Sequence, residues 1–322
     1  MAELASPLLS TTLLSGALLA LFVVGYLVLA GSDIGLGMLM PHVARTPGER
    51  RRVVSAIAPY FLASEVWLVA AVGLMAGLFP VLEHHVVGGL WPVLVALLAG
   101  WLVRDAGLWF RARVDDPRWR STCDTAIVAG SWTLAVSWGL ALTGLIGGGL
   151  SPTPFTVLGT ASVVSLFALR GAAFGAERLV GPSDAQSADA AARATRPLAR
   201  VALGAVALST VALAAPAAVG SGGPVPAAPG IAVVLAAVLL AALAATSGLT
   251  GPMLSRHTSA LAIAVPGLLV ALAAQLPSAD VPGMTGVFVW SMLAPAVPVM
   301  LLGQVWLYRM TRRPAVSPTF FA

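Results

Sequence analysis

The sequence predicts an all-α, polytopic integral membrane protein with about nine transmembrane helices. Three observations predict it. Of 322 residues, 58% are hydrophobic and only 10% charged, whereas an ordinary soluble domain is about a quarter charged. The charges are also segregated, leaving uncharged runs at 4–32, 66–82, 86–103, 125–169, 201–255, 258–279 and 281–308. A span needs roughly 20 apolar residues at about 1.5 Å each, so the two longest runs hold two spans apiece. Finally, all 18 basic residues are Arg, and on a nine-span reading they fall after spans one, three, five and seven and in the C-terminal tail. That alternation places the N-terminus outside and the C-terminus in the cytoplasm.

In chain order, the first span covers about 8–31. It reads as a membrane span rather than a cleaved signal, because its flank carries Glu3 and no cation. Spans follow at 54–79, 86–109 and 124–146, then at 154–177 beyond the turn-rich IGGGLSPTP, 146–154. Residues 181–197 form a polar cytoplasmic connector, flexible or partly helical. The last four spans lie near 198–218, 230–250, 258–276 and 284–308, the sixth and seventh being separated by AVGSGGPVPAAPG, 218–230. Pro59, Pro92, Pro295 and Pro298 should bend their helices. The whole chain, 1–322, reads as one membrane domain.

Few residues are equipped for chemistry. His42, His84, His85 and His257 fall in loops or at span ends, and no nucleophile, phosphate-cradling or metal motif occurs. Cys123 stands alone and reads as a reduced structural thiol. Gly31-x-x-x-Gly35-x-Gly37 reads as a close-packing helix face. Arg170 reads as a cation snorkelling to cytoplasmic headgroups. Asp33, at the end of span one, reads as an interfacial acid paired with Arg45 or capping a helix.

Glu65 is the exception. It lies a dozen residues past Arg52, roughly 18 Å along a helix, and so near the bilayer centre. An ionised carboxylate there costs at least about 2.5 kcal/mol. It must be protonated, paired or sheltered. It is either a neutral acid bonded to a neighbour, through Ser64 or a facing Trp, or a proton or ligand site.

Several segments carry a resemblance. GYLVLAGSDIGLGMLMPHVARTPGERRRVVSAIAP (25–59), SEVWLVAAVGLMAGLFP (64–80) and WFRARVDDPRWRSTCDTAIVAGS (109–131) resemble, in order and spacing, subunit II of cytochrome bd-type quinol oxidases. Weaker echoes follow in LFALRGAAFGAERLVG (166–181) and WSMLAPAVPVMLLGQVWLYRM (290–310). The resemblance implies two four-helix bundles plus a peripheral helix, and a chain that binds no haem itself. It would pack on a haem-bearing subunit I holding haems b and d, within a complex that oxidises quinol, reduces oxygen to water and draws protons from the cytoplasm. A structural quinone or lipid between helices would fit the same picture.

Carried over by position, Asp33, Glu65 and neighbouring Ser64 become proton-pathway candidates, and Trp67 and Phe61 become packing candidates toward the partner or a pocket. No catalytic residue and no metal ligand is expected in this chain. Ala30 and Leu62 stand where the family usually has acids, and Arg170 where it usually has His. Those departures leave two alternatives open: a paralogue acting only as a scaffold, and a proton- or cation-coupled transporter built around Glu65.

Overall fold

Proline begins six of the nine helices in the computed structural model, which describes residues 2–180, 185–218, 226–248, 252–277, 279, 281 and 283–310. The helices are α1 (Ala2–Val43), α2 (Pro47–Leu78), α3 (Pro80–Phe110), α4 (Pro117–Gly147), α5 (Pro154–Arg178), α6 (Gln186–Ala218), α7 (Pro229–Gly248), α8 (Pro252–Ala273) and α9 (Gly283–Met310). Proline suits a first turn because its missing N–H would be unsatisfied there anyway. Side-chain caps complete several starts. Thr46 and Glu49 form a reciprocal capping box on α2, Asp116 accepts from the Arg118 and Trp119 amides on α4, and Thr153 accepts from Thr156 on α5. Gly148, at φ 76°, ends α4 in the left-handed conformation that glycine adopts without strain. All nine helices among the described residues are long and apolar enough to cross a membrane.

Two features differ from the sequence expectation and a third follows it. The first span does not stop near residue 31. It runs from Thr11 to Val43 without a break, roughly 50 Å of helix, and carries Asp33 well inside. The polar connector is shorter than 181–197, since α6 begins at Gln186; residues 181–184 lie outside the described residues. Pro92 marks a kink, with Leu90 out of helical geometry at φ −116°, ψ 16°.

α1 is central, packing against α2, α4, α5 and α8. α3 lies on α4, α5 on α4, α6 and α8, and α7 on α6 and α8. Glycines permit the closest crossings. A side chain on Gly35 would collide with the Phe167 carbonyl of α5, and one on Gly171 would collide with the Gly35 backbone. Gly37 admits Ser131 of α4, and Gly25 admits the ring of Trp67. α9 touches α2 and is pinned by polar contacts: Trp290 Nε1 donates to Ser15 Oγ at 2.9 Å, and Trp67 Nε1 to Gln304 Oε1 at 3.3 Å.

Candidate functional site: a buried ion pair and a carboxyl seam

The deep acid of α1 is fully buried and ion-paired. Asp33 Oδ2 accepts from Arg104 Nη2 at 2.6 Å, with both side chains almost wholly hidden, and Asp33 Oδ1 accepts from the Ile34 amide at 2.9 Å. This corrects two expectations at once. Asp33 pairs neither with Arg45 nor with a helix end, and Arg104 is not a loop cation. Arg104 reaches α1 because Gly130 of α4 leaves room: any side chain there would meet Arg104 Cβ and N and the Gly100 carbonyl at 2.6 Å. Phe61 of α2, fully buried, lies 5.8 Å under the guanidinium.

A second group adjoins the pair at the α2–α3 contact. Trp101 Nε1 donates to Glu65 Oε1 at 2.7 Å, so the acid does face a Trp. Asp105, one turn along α3 from Trp101, lies beside Glu65. Arg104 Nη1 stands 3.5 Å from Asp105 Oδ1, a buried oxygen that accepts no hydrogen bond among the described residues; Arg104 Nε likewise has no acceptor. One guanidinium therefore serves two carboxyls, Asp33 and Asp105, and Glu65 adjoins the second of them. Glu65, Trp101 and Asp105 are each only partly buried, so the group opens on the outer face of the chain.

The remaining candidates lie close by without joining this group. Ser64 is buried, but its hydroxyl donates back to the Phe61 carbonyl at 2.9 Å. Trp67 is buried against Gly25, edge-on to Phe22 at 6.1 Å, and bonded to α9. Ala30 is buried, while Leu62 is exposed on α2. Asp105 had no sequence signal beyond its place after Arg104, inside the span expected at 86–109.

Arg170 does not snorkel. Its side chain is buried, donating from Nε to the Val28 carbonyl at 3.2 Å and from Nη1 to the Arg256 carbonyl at 3.0 Å. Two carbonyl acceptors from α1 and α8 replace the headgroups. Arg178 is buried too, its guanidinium 5.1–5.9 Å from the rings of Tyr308, Tyr60 and Phe174.

Much of the motif-rich loop is structural. Glu49 Oε2 accepts from the Arg45 and Thr46 amides at 2.7 and 2.8 Å. Asp124 binds Arg111 at 2.6 Å and Arg50 at 3.5 Å. The four histidines are exposed, His84 and His85 being adjacent on α3, and no group of three His, Cys, Asp or Glu that could hold a metal occurs among the described residues. An apolar cavity of about 360 Å³ lies between α4, α5, α6, α7 and α8, with Ser162, Ser209 and Thr143 among its walls.

A family model described as cytochrome bd terminal oxidase subunit II matches residues 11–311. Among curated proteins, "Probable cytochrome oxidase subunit 2" of Haemophilus influenzae is 32% identical over 131 residues, 41% of this chain and 35% of that one. "Cytochrome bd-I ubiquinol oxidase subunit 2" of Escherichia coli K12 is 30% identical over 140 residues, 44% of this chain and 36% of that one. The match thus spans about a third of the length of these relatives. Among solved structures, a chain of the bd oxidase from Geobacillus thermodenitrificans shares the fold at a TM-score of 0.71 and 15% identity, covering 94% of this chain and 98% of that one.

Proposed function

The chain belongs to the cytochrome bd terminal oxidase subunit II family, and from that premise we propose that it is the haem-free subunit of a membrane-bound quinol:oxygen oxidoreductase. It packs on a haem-bearing subunit, whose haems carry electrons from quinol to oxygen. In this reading the chain performs none of the redox chemistry. It completes the fold of the complex and passes protons from the cytoplasm toward the partner.

The observation that carries the reading is the open seam at Glu65. On α2 this residue lies roughly 27 Å from Pro47 and 20 Å from Leu78. A carboxyl pair at that depth is too costly to leave against lipid. Its own chain covers it only in part. A second polypeptide on the α2–α3 face supplies the missing cover. In this reading α1–α4 and α5–α8 form two bundles with α9 outside, as the family resemblance implies, joined through the packing of α1 and α4 on α5. The arginine distribution supports an N-terminus outside and a C-terminus in the cytoplasm.

Within the proposed proton route the candidates take different parts. Asp33, held by Arg104, keeps its negative charge and orients the guanidinium. Glu65 is the group placed to exchange a proton at the partner face. Ser64, bonded to its own helix, fixes the α2 backbone. The exposure of all four histidines supports the haem-free assignment.

A scaffold-only role has one observation in its favour. Asp33 is consumed by an ion pair, and Ala30 and Leu62 carry no proton. Purifying the tagged chain from its native membrane tests the main reading: a haem-bearing polypeptide co-purifies, with quinol oxidase activity. Glu65→Gln then separates the roles. Slowed turnover with intact haem content supports proton delivery, and unchanged turnover across pH supports the scaffold. A stable, active, haem-free homo-oligomer would overturn both.

A further inference from the structure

We propose that Asp105 and Glu65 form a carboxyl dyad that shares one proton, with Asp105 as the positioning residue that keeps Glu65 loaded. The proposal rests on the proton-delivery reading above and names a residue which that reading does not supply.

The argument starts from charge. Four ionisable side chains face one another across α1, α2 and α3: Asp33, Glu65, Asp105 and Arg104. The phenol of Tyr26 on α1 faces the same group. With every carboxyl ionised, the group would carry two uncompensated negative charges inside a membrane span, each costing several kcal/mol. Asp33 is the settled anion, being fully buried at 2.6 Å from Arg104 Nη2 with an amide on its other oxygen. Glu65 and Asp105 are left with one further charge to divide.

Their donors fix how it is divided. At one end Trp101 Nε1–H donates to Glu65 Oε1 at 2.7 Å. At the other, Arg104 Nη1 stands 3.5 Å from Asp105 Oδ1. Each end can stabilise one negative charge, and neighbouring carboxyls in a low dielectric cannot both ionise. One carboxylate and one carboxylic acid, joined by an O–H···O bond, satisfy both ends. The shared proton belongs to the pair and to neither residue alone.

The pair has a direction. Asp105 lies about 9 Å of helix from Arg111 at the end of α3, nearer that end than Trp101 is. A proton arriving from the cytoplasm meets Asp105 first. Its arrival makes the pair neutral, and release of one proton from Glu65 at the partner face restores the original charge. One proton enters and one leaves, with no electron moved.

Infrared difference spectroscopy on the purified complex in lipid nanodiscs, during a pH jump in H2O and in D2O, tests this directly. The expected result is one deuterium-sensitive carboxylic C=O band that Glu65→Gln and Asp105→Asn both shift or abolish. Haem content in each variant reports assembly. Glu65→Asp, which keeps the acid, retains the band at a moved position. Turnover falls roughly tenfold or more in either amide variant and no further in the double variant, as for groups acting as a unit. Two independent bands, each lost in one variant, would overturn the dyad, as would a spectrum that neither variant alters. The expected band changes with unaltered turnover would leave the dyad standing and defeat the proton-delivery reading instead.

Discussion

Two ionic clusters share α2 and α3, about two turns apart along α3, and they are built to opposite balances. At the end of α3, Asp124 is one acid between two cations, Arg111 at 2.6 Å and Arg50 at 3.5 Å, the latter reaching solvent. Deeper, Arg104 is one cation among Asp33, Asp105 and Glu65. A surplus cation near a helix end costs little, because a long flexible side chain can put its charge into water or headgroups. A surplus acid in mid-span has no such exit and must hold a proton or be covered. The first cluster therefore fastens helices together, while the second is the one proposed to hold a proton on the face where a partner would lie.

The sharpest way to break this contrast is Arg104→Ala. It strands Asp33 as a fully buried charge, and removing one member of a buried pair costs about 3–5 kcal/mol. Thermal unfolding of the solubilised complex should show most of its stability gone. Removing both partners together, as Arg104→Met with Asp33→Asn, should recover most of that loss. Failure to recover would mean that Arg104 serves the outer carboxyls more than Asp33. At the other cluster, Arg111→Ala should cost less, on the order of 2 kcal/mol, since Arg50 remains beside Asp124. A loss equal to that of Arg104→Ala would erase the distinction between the clusters. Smallest is Thr46→Ala, which removes one half of the α2 capping box and should cost about 1 kcal/mol with turnover unchanged.

The comparison also explains what could be read in advance. Nine long apolar helices were legible because each apolar run is bounded by arginines or by Gly and Pro. The close face at Gly31, Gly35 and Gly37 was legible because small residues at helical spacing have few other uses. Asp33 and Arg104 were not, being 71 residues apart and joined only once α3 and α4 have packed on α1. Each looks like the polar end of its own span, which is why the sequence alone ends the first span near residue 31. Arg170 misled in the same way: a cation eight residues from a helix end reads as snorkelling, and only the tertiary fold supplies the Val28 and Arg256 carbonyls it uses. Asp105 carried no local pattern. Its significance comes from Glu65 across the helix contact.

One measurement bears most directly on the claim that a second polypeptide covers the Glu65 seam. A photoreactive side chain placed at Val66, beside Glu65 and exposed on α2, is compared in native membranes with one at Val211, exposed on α6. Illumination should join position 66, and not position 211, to a haem-bearing polypeptide; lipid adducts alone at both positions would contradict the account.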